Sequence, residues 1–124
     1  MKTLIILVVG LLAVGCLTPE QKQQKALRDS VVGEYEIKLI SDGATKRVFL
    51  KNGIVENYEA GKKRRDYKWK IVNKGLHVKG NFGTVFIYRI NKDKSITYIA
   101  YISDGKRIDL PKIAQEQYTY KYIK

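Results

Sequence analysis

Hydrophobic and polar residues alternate along most of the chain after residue 30, and this period of two predicts β-strands buried on one face. The segment 66–72 shows the pattern clearly, because Tyr67, Trp69 and Ile71 share one face while charged residues occupy the other. The predicted strands are 31–39, 47–51, 54–59, 66–72, 76–79, 84–91, 95–102, 107–110 and 118–123.

The connections between these strands are short and rich in tight-turn residues, so consecutive strands are expected to pair antiparallel. Asn52-Gly53 predicts a type I′ hairpin turn, with positive φ at both central positions. We therefore predict an all-β fold, an antiparallel up-and-down meander of about eight or nine short strands that forms a small barrel or a strongly curved sheet. A two-sheet sandwich is the alternative.

A short helix is predicted before the first strand, from Pro19 to about Asp29. Thr18 provides an N-cap, Pro19 suits the first helical position, and Gln21 completes a capping box. Most residues of this segment are polar, so we expect a solvated tether or a lid and not a core element.

The hairpin of residues 84–102 is apolar on both faces. Phe86 and Tyr88 lie on one predicted face, and Val85 and Ile87 lie on the other. A sheet is apolar on both faces when both are covered. We expect the N-terminal helix, a partner protein or a second copy of the chain to cover the second face.

The N-terminus carries a lysine, then an unbroken apolar run over residues 4–15, and then Cys16, the only cysteine of the chain. A positive start, an apolar stretch and small residues before a cleavage point are the parts of an export signal. The segment 13–16, Ala-Val-Gly-Cys, resembles the lipobox of bacterial lipoproteins. The resemblance implies cleavage after Gly15, diacylation of the Cys16 sulfur and acylation of the new amine. An uncleaved signal anchor, or a signal cut elsewhere, is the alternative.

Under this interpretation, residues 1–15 are a lipoprotein signal peptide, residues 16–30 a lipidated tether with a short helix, and residues 31–124 the β domain. More than one acyl chain makes membrane anchoring effectively permanent. Leu17 follows the cysteine, whereas the family's inner-membrane retention signal is an aspartate at that position. We expect a membrane-anchored protein of the cell envelope, facing the periplasm or the exterior, in the outer membrane if the cell has one.

The segment Gly33-Glu34-Tyr35, at the start of the first predicted strand, is similar to the Gly-x-Trp that begins lipocalin barrels. Together with the meander, residues 31–124 look like the short lipocalin-like domains of bacterial lipoproteins. The resemblance implies a barrel whose mouth holds a small ligand. It carries no ligand-binding residue over to this chain.

The chain has 24 Lys and Arg residues against 12 Asp and Glu, a net charge of +12 at pH 7. Removing the predicted signal takes away one lysine, which leaves the mature chain near +11. This charge favours anionic lipid or wall polymer as a partner, and export argues against nucleic acid. The candidate anionic-surface patch comprises Lys62, Lys63, Arg64, Arg65, Lys68 and Lys70. The alternative is a turn and a solvated strand face that keep a small β protein soluble.

The residues offer little support for catalysis or metal binding. His77 is the sole histidine and Cys16 is assigned to the lipid, so a metal site lacks further His or Cys ligands, and any catalytic triad would have to be built on His77. Glu34 and Glu36 share a predicted strand face, an arrangement that resembles the paired carboxylates of a glycosidase. Their alternation with apolar neighbours indicates solvent exposure instead. We expect a protein that is not an enzyme and that uses no cofactor.

Tyrosine-rich strands provide the remaining candidate site, because amphipathic rings suit a ligand cup or a barrel core. The candidate aromatic residues are Tyr35, Trp69, Tyr88, Tyr118, Tyr120 and Tyr122. The leading hypothesis is a lipid-anchored, non-catalytic binding or scaffold module with an unknown protein or small-molecule partner. The alternatives are a structural envelope protein whose basic face rests on an anionic surface, and an inhibitor of a secreted hydrolase. A pocket inside the barrel favours binding, whereas a filled interior favours the structural role.

Overall fold

A computed structural model describes residues 18–39 and 43–124, and its strands form one antiparallel sheet, which confirms the all-β prediction. The two α-helices of this part of the chain are α1 (Pro19–Val31) and α2 (Lys112–Gln117). The strands are β1 (Gly33–Leu39), β2 (Gly43–Phe49), β3 (Ile54–Glu59), β4 (Lys62–Lys63), β5 (Tyr67–Val72), β6 (Gly75–Lys79), β7 (Val85–Ile90), β8 (Ile96–Ser103), β9 (Lys106–Asp109) and β10 (Thr119–Tyr122).

The sheet closes on itself into a barrel, which confirms the closed form of the predicted meander. Neighbouring strands follow the order β10, β1, β2, β3, β5, β6, β7, β8 and β9, and β10 also pairs with β8. The closing strand joins β8 through Tyr120 and Ile96, and it joins β1 through Tyr122 and Tyr35. Eight strands therefore form the antiparallel barrel, while β4 extends beside β3 and β9 beside β8. Closure gives β10 a partner on each side, which shortens the free sheet edge that could otherwise pair with other chains.

The β2–β3 turn differs from the type I′ geometry predicted for Asn52-Gly53. Of these two residues only Gly53 has a positive φ, at 89°. Its N–H donates to the carbonyl of Leu50 at 3.1 Å, and the N–H of Leu50 donates to the carbonyl of Ile54 at 2.8 Å. This is a type I turn followed by a left-handed glycine, so the type I′ prediction is wrong. The Asn52 side chain accepts the N–H of Ile54 at 3.0 Å, which stabilises the observed form.

Helix α1 plugs one end of the barrel. The predicted capping box is present, because Gln21 N–H donates to Thr18 Oγ1 at 3.1 Å and Thr18 N–H donates to Gln21 Oε1 at 3.0 Å. The helix continues to Val31, which is 1% exposed, and the Tyr35 hydroxyl donates to the Val31 carbonyl at 2.9 Å. The helix therefore extends beyond the predicted end near Asp29, and its last residue belongs to the core, whereas residues 19–29 remain exposed or half-buried over the barrel end.

Polar side chains attach the same helix to the rim of the barrel. Gln24 Nε2 donates to the carbonyl of Ile71 at 2.7 Å. Arg28 Nη2 donates to the carbonyl of Lys51 at 3.0 Å, and the Arg28 guanidinium lies 4.8 Å from the centroid of the Trp69 ring. These contacts hold α1 over the β2–β3 turn and the end of β5, which defines the plugged end.

The interior next to the plug is filled by apolar side chains. Tyr35, Phe49 and Trp69 interlock edge to face, with ring centroids 5.4 Å and 5.7 Å apart along this series. Further fully buried members of this cluster are Val31, Val55, Leu76, Val78 and Ile96. At this end the barrel therefore has the filled interior that the sequence analysis associates with a structural role.

The second face of the β7–β8 hairpin is covered without the N-terminal helix. Ile87 and Ala100 pair across the hairpin outside the core cluster, and they are 2% and 0% exposed. Helix α2 packs on β8, and the N–H of Leu110 donates to the carbonyl of Ile99 at 2.8 Å. The expectation that α1 covers this face is wrong, because α1 lies at the plugged end and the C-terminal segment covers part of the face instead.

Candidate functional site

The barrel end opposite α1 is lined by aromatic side chains that are only partly buried. We call four of them the aromatic cup: Tyr67, Phe86, Tyr98 and Tyr118. Tyr67 begins β5 and Phe86 lies near the start of β7, whereas α1 contacts the opposite end of β5. The cup and the plug therefore occupy opposite ends of the barrel.

The rings of the aromatic cup form a continuous series. Centroid distances are 6.4 Å from Tyr67 to Phe86, 5.8 Å from Phe86 to Tyr98, and 6.1 Å from Tyr98 to Tyr118. Rings at these separations favour one another and present apolar faces with polar edges. Their partial burial leaves aromatic surface that an apolar or planar group can cover.

Arg47 lies inside the barrel between the aromatic cup and the plug. It occupies the middle of β2, directly opposite Tyr35 on β1 and Asn57 on β3. Because cross-strand partners share a face and Tyr35 faces the core, Arg47 also points inward. Its guanidinium carbon lies 5.3 Å from the ring centroids of both Tyr88 and Tyr120.

The positive charge of Arg47 is buried without an anionic partner. Its Nε and Nη1 atoms each expose less than 1 Å² and have no hydrogen-bond partner within the described residues. None of the ion pairs in that part of the chain includes Arg47. Each tyrosine ring contributes about 0.5–2 kcal/mol through a cation–π contact, whereas burying an unpaired ion costs several kcal/mol. The rings therefore offset only part of the cost.

Asn57 is a second incompletely satisfied group at this position. Its Nδ2 donates to the carbonyl of Arg65 at 2.8 Å, which fixes the orientation of the amide. The Oδ1 atom is buried and has no partner within residues 18–39 and 43–124. A donor and an acceptor that both lack partners thus lie on neighbouring strands, in register and on one face.

The nearby tyrosines do not supply the missing negative charge. Burial raises the pKa of the Tyr88 phenol, and the charge of Arg47 opposes only part of that shift. The pKa of Tyr35 is raised to about 12, first by burial and then by its proximity to Tyr122. Both phenols are therefore neutral at physiological pH, and Arg47 has no internal counter-ion from them.

The structure divides the predicted basic patch into two parts. Residues 62–65 form β4 and the segment after it, where Lys63 Nζ lies 2.9 Å from Glu56 Oε2 and Arg64 Nε lies 3.5 Å from Glu59 Oε2. Carboxylates thus offset two of the four cations in this segment. Lys62 and Arg65 complete it, and both are exposed.

The other part of the patch lies on the outer face of β5 and β6. Lys68 is directly opposite Lys79, and Lys70 is directly opposite His77. Like charges in such positions repel each other, and none of the ion pairs within the described ranges includes Lys68, Lys70 or Lys79. The pKa of His77 is lowered by burial, then by the charges of Lys70 and Arg107.

This outer face also carries apolar side chains. A cavity of about 580 Å³ lies over it, and its lining includes Val72, Val85 and Ile102 together with Lys68 and Lys79. The face therefore combines an apolar centre with unpaired positive charge.

The structure separates the six aromatic residues proposed from the sequence. Tyr88 and Tyr120 lie against Arg47. Tyr118 lies in the aromatic cup. The other three lie at the plugged end: Tyr35, Trp69 and Tyr122. Sequence analysis did not single out Arg47 or Asn57. A signal for Arg47 was present, because it is two residues from the apolar Phe49 and so shares its strand face.

The predicted lipid anchor is not tested by this geometry, and three observations concern the other site types considered from the sequence. Cys16 and the predicted signal peptide lie outside the described residues. Within residues 18–39 and 43–124, no group of three or more His, Cys, Asp or Glu side chains is placed so that it could hold a metal ion. In the same ranges, no helix has the length and hydropathy required to span a membrane. Glu34 forms ion pairs with Lys46 and Lys124, at 3.4 Å and 3.5 Å.

Comparisons with protein-family models, with curated proteins and with solved structures find no match to this chain.

Proposed function

We propose that this chain is a lipid-anchored, non-catalytic binding protein of the bacterial cell envelope, whose barrel holds a small ligand at the cup end. The observation that carries the proposal is the difference between the two barrel ends. One end is sealed by α1 and filled with apolar side chains, whereas the other combines half-buried aromatic rings with Arg47, a buried cation that has no described partner. Small-molecule sites typically combine an apolar lining with a few polar groups.

The lipid anchor is supported by the sequence at Cys16. A charged start, an apolar run and small residues precede the only cysteine of the chain. We expect a clickable palmitate analogue to label the wild-type protein in bacterial cells and to leave Cys16→Ser unlabelled. Labelling of Cys16→Ser at equal expression would contradict the anchor.

Binding at the aromatic cup is tested with N-phenyl-1-naphthylamine, a neutral dye that becomes fluorescent in apolar sites. The protein should bind this dye at micromolar concentrations. Phe86→Glu should abolish binding, because it places a charge among the cup rings. Val85→Glu is the matched control, since Val85 is the adjacent residue and faces the outside of the barrel. Equal loss in both variants would contradict a cup site.

A second candidate function is attachment of the outer face to an anionic surface. The unpaired Lys68, Lys70 and Lys79 around an apolar centre favour it, because each basic residue near an anionic membrane contributes about 1 kcal/mol. Replacing these three lysines by Ser should release the unlipidated domain from phosphatidylglycerol vesicles more effectively than replacing residues 62–65. The reverse order would favour the 62–65 segment as the contact.

A further inference from the structure

We infer that Arg47 and Asn57 form an anion-binding site inside the barrel, which holds the oxyanion head group of a small amphiphile while its apolar body lies in the aromatic cup. This inference rests on the proposed function and names the chemical class of its ligand. The ligand is a carboxylate, sulfonate or phosphate on an apolar chain or ring.

The charge of the site selects the head group. The unpartnered Nε and Nη1 atoms of Arg47 hold more than half of the donor hydrogens of its guanidinium. The Tyr88 and Tyr120 side chains also interact with the guanidinium, but they leave the Nε and Nη1 hydrogens without acceptors of good geometry. An oxyanion supplies both a counter-charge and acceptors, and charge-assisted hydrogen bonds to Arg are about twice as strong as neutral ones.

The surroundings of Arg47 determine where the rest of the ligand lies. α1 and the filled core close the barrel on the Phe49 side, so the ligand body must point toward the aromatic cup. Part of Arg47 remains accessible although its Nε and Nη1 are covered. The cup rings are also only partly buried, so they can shift aside at lower cost than the packed rings at the plug.

Asn57 favours amphiphiles that carry a hydrogen-bond donor beside the oxyanion. Its amide is oriented by the bond to the Arg65 carbonyl, so the buried Oδ1 is an acceptor that needs a donor. A head group with a hydroxyl beside the oxyanion satisfies Arg47 and Asn57 together. We therefore expect 2-hydroxydodecanoate to bind more tightly than dodecanoate.

The test uses two dyes that share one skeleton. 8-Anilinonaphthalene-1-sulfonate carries a sulfonate, whereas N-phenyl-1-naphthylamine lacks it. Titrations of the full chain with the two dyes should give at least tenfold tighter binding of the sulfonate. The preference should persist in 0.5 M NaCl, because a buried pair is screened less than surface charges.

Substitution of Arg47 separates the buried charge from the general positive charge of the protein. Arg47→Met should weaken sulfonate binding at least tenfold and change binding of the neutral dye less than twofold. Lys46→Met is the matched control, since it removes one charge from the adjacent, outward-facing residue of the same strand. It should leave both affinities within twofold.

The outcomes distinguish the inference from the proposed function. If the wild-type protein binds both dyes equally, or if Arg47→Met and Lys46→Met behave alike, the cup binds ligands but the anion site is wrong. If neither dye binds, both the proposed function and this inference are wrong. Should Arg47→Met fail to fold, as judged by circular dichroism, the dye preference of the wild-type protein in 0.5 M NaCl decides.

Competition against the bound sulfonate dye tests the role of Asn57. 2-Hydroxydodecanoate should displace the dye at a concentration at least threefold lower than dodecanoate, and Asn57→Leu should abolish this difference. Equal displacement by the two acids in the wild-type protein would remove Asn57 from the site.

Discussion

The plugged end and the cup end of the barrel are both built from aromatic residues but differ in how completely those residues are packed. At the plug, Tyr35, Phe49 and Trp69 are at most 3% exposed and interlock edge to face. At the cup, Tyr67 and Phe86 remain half-buried, and the interior beside them contains the unpaired charge of Arg47.

The difference indicates that the plugged end serves stability and that the cup end serves ligand binding. Close packing contributes stability because each buried apolar group gains transfer free energy and dispersion contacts. An unpaired buried cation lowers stability, so its retention is easier to explain by binding than by folding. We therefore expect substitutions at the plug to change stability, and substitutions at the cup to change ligand binding.

The largest expected effect compares Phe49→Ala with Phe86→Ala. Phe49 is fully buried at the plug, so its truncation leaves a cavity and should lower the free energy of unfolding by about 3–5 kcal/mol. Phe86 is half-buried in the cup, and its truncation should cost about 1–2 kcal/mol. Urea denaturation of the two variants measures both values. Equal losses would show that the cup is ordinary core, which would undermine the proposed binding site.

Much of the barrel could be predicted from the sequence because its signals are local. Alternation in β5 and the short turns specify strands and their antiparallel pairing without reference to distant residues. The capping box at Thr18 and Gln21 is likewise contained within one helical turn. The exact turn type at Asn52-Gly53 was missed, because a side-chain hydrogen bond to Ile54 competes with the form that the dipeptide usually favours.

The candidate site depends on contacts that are distant in the sequence. Arg47 meets Tyr88 and Tyr120 only because the closed barrel brings β2, β7 and β10 around one interior. The predicted strand also began at Arg47, whereas β2 begins at Gly43, so the prediction placed the residue at a strand end. An inward arginine contradicts the general expectation that charged residues face solvent. Sequence patterns alone therefore predict that Arg47 faces solvent.

A smaller loss of stability is expected when the hydrogen bond between Tyr35 and α1 is removed. Tyr35→Phe removes the hydroxyl that donates to the Val31 carbonyl and leaves a buried acceptor unsatisfied, which should cost about 1–2 kcal/mol. Tyr122→Phe is the control, since its ring contacts Tyr35 but the residue is 36% exposed. Chemical denaturation should show a loss for Tyr35→Phe and little change for Tyr122→Phe. Similar losses would indicate that the hydroxyl of Tyr35 does not anchor α1.

The smallest expected effect concerns the rim of the plug. Arg28→Ala removes the hydrogen bond to the Lys51 carbonyl and the contact with the Trp69 ring, which together should contribute about 0.5–1 kcal/mol at this exposed position. Because α1 remains fixed through Val31, we expect faster hydrogen exchange in the α1 amides with little change in the amides of β5 and β6. Lys25→Ala, at an exposed position on the same helix, controls for the loss of charge. If Arg28→Ala accelerated exchange equally in the helix and in the barrel strands, the plug would be an integral part of the barrel core, and the difference between the two ends would lie in the cup alone.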